Sequence, residues 1–340
     1  MLSNNSLNPI RHLLAAFVII THSYPLLGLP EEDILFQLTN GQLSFSTFAV
    51  NAFFAISGYL IFKSLDRSDS IIDYMKKRCL RIFPALWVML LVTVLITTPF
   101  FYESSIEEYY QDKSMWSYFI YNTVLYTHYR IDGVFTHNPM VSLNGSLWTI
   151  PYEFLWYILI IPTSIVLKKY LKYILLGVFV LFFLLTNHYQ LDNTIVHVSL
   201  YQLCRLGTYF CGDMLIYQFG IEKYSIKYRY ITFLGMVLLN VFSIYEYCQY
   251  IIVPFFILGF GLSKDFSALN FKGDYSYGIY LYGFFVQQMF VALFPSITVF
   301  NLALLSIVVS FVFAYFSWHI FEEKVLRLKN KKIQIWNFQL

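Results

Sequence analysis

The chain has 340 residues, of which 58% are hydrophobic, 21% aromatic and 13% charged, with a net charge of +3 and a mean hydropathy of +0.58. An ordinary soluble domain carries about a quarter charged residues, so too few charges are present to coat a soluble globule of this size. The composition therefore excludes a soluble domain and predicts a membrane protein, with membrane lipid rather than nucleic acid as its surroundings.

Apolar runs bounded by charged or turn residues divide the chain into about ten segments, each near the length that a helix needs to cross roughly 30 Å of hydrocarbon. In chain order they are 9–29, 44–65, 80–101, 147–167, 171–188, 196–217, 228–245, 247–263, 274–294 and 298–322. The prediction is an all-α, polytopic membrane bundle over residues 1–328, followed by a tail at 329–340. The aromatic segment 115–131 is interrupted by polar residues and is predicted to be interfacial or re-entrant.

The charged residues alternate between the two sides of this arrangement. One side has basic loops and the other is acidic, and of 23 Lys and Arg only Lys113 and Arg130 fall on the acidic side. The basic loops are 66–79, 168–172, 218–229 and 264–273, and the acidic ones are 30–43 and 102–146. Because basic residues are retained on the cytoplasmic side, both termini are predicted to be cytoplasmic.

Ionisable residues inside membrane helices are functional candidates, because burying them in lipid costs a few kcal/mol. Arg11 and His22 are eleven residues apart, which places them on one face of the first helix, separated by about 16 Å along its axis. Glu153 is expected at nearly the same depth as His22, so the carboxylate could hold the imidazole as a general base. A cationic anchor, a buried histidine and a structural hydrogen bond would produce the same pattern.

Three further arginines carry weaker signals. Arg205 falls near mid-membrane and needs carboxylates, carbonyls, water or a ligand phosphate as partners. Arg78 and Arg81 lie three residues apart at the inner end of the third helix. They are either topological charges or contacts for the phosphates of a nucleotide-like ligand. The four cysteines share no metal-ligand spacing, so no metal site is predicted.

Four sequence blocks follow one another in a fixed order. They are NPIRHLLAAFVIITHS with Arg11 and His22, NAFFAISGYLIFKSL with Ser57, KKRCLRIFPALWV with Arg78 and Arg81, and NGSLWTIPYEFLWY with Trp148 and Glu153. In this combination the chain resembles acyltransferase family 3, the membrane proteins that include bacterial O-acetyltransferases of surface polysaccharides. The similarity extends over residues 8–328, with weaker matches at RLGTYFCGDML, DYSYGIYLYGF and FEEKVLRL. Two positions depart from the family pattern: Gly283 replaces a histidine and Lys324 a proline.

The resemblance implies that acetyl-CoA is the cytoplasmic donor substrate, with no further cofactor, and that a sugar hydroxyl on a surface or lipid-linked glycan is the acceptor. It implies a place in the bacterial cytoplasmic (inner) membrane. Arg11, Arg78 and Arg81 would hold the donor phosphates, and His22 would act as general base oriented by Glu153, or as a transient acyl carrier.

Ser57 is either a nucleophile or, with Gly58, a site of close helix packing. Intramembrane Arg, Glu and His also serve transporters, so a secondary transporter or a flippase of lipid-linked glycan is the alternative function. A structural subunit of a polysaccharide export complex is a third. The four ordered blocks favour the enzyme.

Overall fold

A computed structural model describes residues 5–164, 166, 168–188, 194–195 and 198–330. Within them the helices are joined by loops, and the named strands form one antiparallel ladder, in which β1 (Thr194–Ile195) pairs with β2 (Val198–Ser199). The helices are α1 (Leu7–His22), α2 (Ile34–Leu38), α3 (Phe45–Asp66), α4 (Ile71–Leu90), α5 (Ile106–Gln111), α6 (Lys113–Thr123), α7 (Thr149–Leu159), α8 (Lys168–His188), α9 (Leu200–Phe219), α10 (Glu222–Val241), α11 (Tyr245–Leu262), α12 (Ser276–Leu293), α13 (Val299–Ser317) and α14 (Glu323–Leu326). The π-helical segments Leu91–Thr97 and Trp318–Glu322 continue α4 and α13.

The predicted all-α class is confirmed, and each predicted apolar segment coincides with helical residues. Segment 147–167 covers the short α7 and the 3-10 turn Ile161–Ser164. Six helical stretches of the described chain are long and apolar enough to cross a membrane, by length and composition. They are Leu7–Leu27, Phe45–Asp66, Ile71–Phe101, Lys169–Asn187, Tyr245–Leu262 and Val299–Leu326. The count of about ten spans and the cytoplasmic termini stay predictions, and residues 331–340 of the predicted tail lie outside the described residues.

Several long helices begin directly after a serine or threonine whose side chain accepts a hydrogen bond from the backbone N–H three residues on. Such a cap satisfies one of the N–H groups that the first helical turn leaves without a partner. The capping residues are Ser44 before α3, Ser70 before α4, Ser199 before α9 and Thr298 before α13. The sequence thus fixes where these helices start.

Helices α1, α3 and α12 form the centre of the bundle. Near one end, the Ser46 backbone N–H donates to Thr21 Oγ1 at 2.9 Å, and Thr21 Oγ1 donates to Asp33. We call this the Asp33 end. The opposite end holds Asp274, which contacts Arg11 of α1, and we call it the Asp274 end. Helix α1 therefore runs antiparallel to α3.

Small residues bring the central helices close to each other and to α9. A Cβ on Gly58 would collide with the backbone of Phe210, so α3 and α9 touch backbone to backbone. A Cβ on Gly283 would lie 2.8 Å from Ile19, so α12 packs tightly on α1 at the position where the family pattern has histidine. Close approach of this kind is typical of helix pairs in membranes.

The loop that precedes α7 enters the bundle before the helix begins. Asn138 donates to the side-chain oxygen of Gln288 at 2.7 Å, and Asn144 donates to the carbonyl of Leu281 at 2.8 Å. Asn138 and Asn144 are both buried. Helix α7 consequently starts inside the bundle, at the level of residue 281 of α12, and not at its surface.

Candidate active site

A cavity opens between α1, α3, α4, α7 and α12, with an empty volume of about 600 Å³ that includes the part open to the outside. Apolar and aromatic side chains form much of its wall. Its polar lining includes two arginines, one carboxylate and three hydroxyl groups: Arg11, Arg81, Glu153, Ser57, Thr149 and Ser276. A largely apolar pocket with a few convergent polar groups is the usual form of a small-molecule site.

The two arginines converge on one carboxylate at the Asp274 end. Arg11 Nη1 and Arg81 Nη2 both donate to Oδ2 of Asp274, the second at 2.7 Å, and Ser276 Oγ donates to Oδ1 at 2.6 Å. The carboxylate of Asp274 thus accepts hydrogen bonds from two guanidinium groups and one hydroxyl, and it ties α1, α4 and the start of α12 together.

Glu153 lines the same cavity. The hydroxyl of Tyr157 donates to Glu153 Oε1, and Ser57 Oγ donates to the same atom at 3.4 Å. In the described chain no hydrogen bond reaches Oε2, which leaves one carboxylate oxygen for a ligand. On the other wall, Thr149 and Tyr280 share a hydrogen bond of 2.7 Å.

Arg78 and Arg81 separate although they are only three residues apart. Arg81 lines the cavity, whereas Arg78 does not. Arg78 donates to Ser64 Oγ at 3.2 Å and lies over the ring of Tyr157, 5.8 Å from its centroid. Because Tyr157 donates a hydrogen bond to Glu153, Arg78 contacts the lining of the cavity indirectly, through the ring of Tyr157.

His22 is the last residue of α1, at the Asp33 end. Its ring meets Phe284 edge to face, with 5.4 Å between centroids, and its Nδ1 is buried without a hydrogen-bond partner among the described residues. Phe284 lies one turn beyond Tyr280, on the same face of α12. His22 is thus placed just past the edge of the cavity that Tyr280 lines.

The structure does not bring His22 and Glu153 together. Glu153 contacts Ser57, about halfway along α3, whereas His22 lies level with the first residues of α3, where Thr21 meets Ser46. The predicted depth of Glu153 is counted from the start of the apolar segment 147–167, which is assumed to lie at the membrane surface. Because the preceding loop enters the bundle first, Glu153 lies further from the Asp33 end than predicted, at the level of Arg11.

The other candidates have different surroundings. Ser57 faces the cavity, while its neighbour Gly58 forms the close contact with α9. Trp148 packs edge to face on Tyr152, with centroids 5.6 Å apart. Arg205 donates to Gln202 at 2.9 Å and to Asn51 at 2.8 Å. Neither Trp148 nor Arg205 lines the cavity.

Sequence reasoning missed Asp274 and Tyr157. Asp274 stands out in the sequence as an acidic residue directly after the basic loop 264–273, which is a weak signal that a buried counter-ion follows. Within the described residues, no group of three or more His, Cys, Asp and Glu side chains could hold a metal ion.

Comparisons with known proteins bear on the whole chain. The family model described as "Acyltransferase domain" matches residues 4–319. An "O-acetyl transferase" of Shigella phage Sf6 is 30% identical over 350 aligned residues, which cover 98% of this chain and 100% of the phage protein. "Nodulation protein 10" of Rhizobium leguminosarum bv. viciae is 32% identical over 165 residues, 45% of this chain and 42% of that protein. No solved structure matches the chain.

Proposed function

We propose that this chain, which belongs to acyltransferase family 3 and is an O-acyltransferase, transfers an acetyl group. The donor is acetyl-CoA on the cytoplasmic side, and the acceptor is a hydroxyl of a sugar on a surface or lipid-linked polysaccharide. The observation that carries the proposal is the cavity, whose lining combines two arginines with a carboxylate. The similarity to the phage O-acetyl transferase supports acetyl as the transferred group.

The donor enters at the Asp274 end in this proposal. The phosphates of CoA cannot enter hydrocarbon, and guanidinium groups bind phosphate through charge-assisted hydrogen bonds. Arg11 and Arg81 line the cavity and are the phosphate contacts, with Arg78 behind them. The slim pantetheine arm then runs between the helices, and its amide N–H groups can donate to the free oxygen of Glu153.

His22 completes the transfer as general base. A neutral imidazole accepts the proton of the sugar hydroxyl while the oxygen attacks the thioester carbonyl. The C–S bond breaks, and the CoA sulfur takes the proton that His22 accepted. The buried Nδ1 supports this role, because no other group of the described chain forms a hydrogen bond with that ring nitrogen. Glu153 contributes by holding the donor arm, at a level different from that of His22.

The membrane orientation follows from the same proposal. The Asp274 end faces the cytoplasm and the Asp33 end faces outward, in a ten-helix bundle in the bacterial inner membrane with both termini inside. Donor and acceptor then approach from opposite sides. Membership in the acyltransferase family favours this reading over a glycan flippase, since a flippase consumes no thioester.

The test is mass spectrometry of the surface glycans of the host with the gene, without it, and with it restored as the parent form or as His22→Ala. We expect one acetyl ester to vanish on deletion and to return only with the parent form. An identical acetyl pattern in all four strains would refute the proposal.

A further inference from the structure

The carboxylate of Asp274 occupies the point on which the guanidinium groups of Arg11 and Arg81 converge. Each guanidinium offers five N–H donors, and the hydrogen bonds found for Arg11 and Arg81 in the described chain all go to this one oxygen. Both arginines line the cavity, and their side chains and that of Asp274 are about 20% exposed, so a ligand in the cavity can reach the two guanidinium groups. We infer that Asp274 is an internal competitor for the donor phosphates, which it replaces when the site is empty.

The charges explain why such a competitor is needed. Two guanidinium groups directed at one point would repel each other and would lose hydration without a counter-ion. Asp274 is the carboxylate in direct contact with both, while Glu322 and Glu153 act on Arg81 from further away. A phosphate that binds Arg11 and Arg81 must therefore displace Asp274 or share the arginines with it. Asp274 thus weakens the binding of donor and of the CoA product alike.

A competing role and a purely structural role predict opposite effects of the loss of Asp274 on anion binding. If Asp274 only held α1 and α4 in place, its loss would loosen the arginines and weaken anion binding. If it competes with the ligand, its loss removes a negative charge beside the phosphates and strengthens binding. At an effective dielectric constant near 20 and with screening by salt, the expected gain is about tenfold in affinity. The inference rests on the proposed donor site.

The experiment is calorimetric titration of CoA into the purified full-length protein in lipid nanodiscs at fixed ionic strength. Asp274→Asn should lower the Kd for CoA about tenfold, and Asp274→Glu should restore the parent value. Asp265→Asn is the matched control, because Asp265 also pairs with an arginine, Arg229 at 2.6 Å, but Arg229 does not line the cavity as Arg11 and Arg81 do. We expect no change in its Kd.

A second variant covers the case in which Asp274→Asn does not fold. Ser276→Ala keeps both ion pairs but removes the hydrogen bond of 2.6 Å that fixes Asp274 Oδ1. The carboxylate is then easier to displace, and the Kd should fall by about two- to threefold, since a hydrogen bond to a charged group contributes only modestly after exchange with water.

The outcomes are distinct. Unchanged or weaker CoA binding in Asp274→Asn, or in Ser276→Ala where the first variant is unfolded, would overturn the inference and leave the donor site intact. A parent protein that does not bind CoA would overturn both the inference and the proposed donor. Tighter binding in Asp265→Asn as well would show a general charge effect and would also overturn the inference.

Discussion

Replacing His22 with alanine is expected to abolish acetyl transfer while donor binding persists. A general base contributes about 10² to 10⁴ in rate, or about 2.7 to 5.4 kcal/mol of the barrier. The ring is half-buried and contacts Phe284, and it lies about three helical turns from Arg11. The proposed phosphate contacts should therefore be unaffected, and the stability loss should be about 1 kcal/mol.

A double variant tests whether His22 and Glu153 act together. Glu153→Gln removes the carboxylate charge but keeps an acceptor for Tyr157 and Ser57, so we expect a loss of about tenfold, mainly in KM for the donor. The two residues lie at different levels, with no hydrogen bond between them in the described chain. Because sites more than about 10 Å apart usually contribute independently, the losses should multiply.

The assay measures transfer of radiolabelled acetyl from acetyl-CoA to membrane glycan at matched protein abundance, with CoA binding measured in parallel. His137→Ala is the control, since His137 is an exposed histidine in the loop before α7. A double variant no slower than His22→Ala would show that the residues form one unit, as the sequence suggested, and would refute the separation argued from the structure. Near-parental activity in His22→Ala would refute the base assignment.

Three other predictions follow from separate parts of the molecule. Arg81→Ala should weaken CoA binding by about 1.5 to 3 kcal/mol, measured by calorimetry, whereas an equal Kd would exclude it from the donor site. Gly58→Val should prevent accumulation of folded protein in membranes, because its side chain collides with α9; normal thermal stability would contradict that contact. Reporters fused after Lys223 should read cytoplasmic and those near Glu107 external, and a reversed pattern would invert the proposed orientation.

Local sequence signals account for much of the fold. Length and hydropathy are properties of contiguous residues, so the helices could be placed from the sequence, and caps such as Ser44 and Ser70 fix their starts. The spacing of Arg11 and His22 also holds, because α1 is unbroken from Leu7 to His22. Such features need no knowledge of which helix lies beside which.

The composition of the site depends on long-range contacts instead. Arg11 and Asp274 are separated by 263 positions in the chain, and no periodicity links them. The depth of Glu153 could not be predicted either, because counting from the start of an apolar run assumes that the run begins at the membrane surface. Buried hydrogen bonds of Asn138 and Asn144 move that start inward.

Because Glu153 and His22 lie at different levels, the proposed donor binding and the proposed acetyl transfer take place at different points along α1. Arg11 and His22 share a face of α1 about 16 Å apart, and the cavity extends from Arg11 towards Tyr280, one turn short of Phe284. The phosphates of the donor would thus stay at the Asp274 end while its thioester approaches His22. Phe284 packs edge to face on that histidine and thus forms part of the wall beside which the thioester and the sugar would meet.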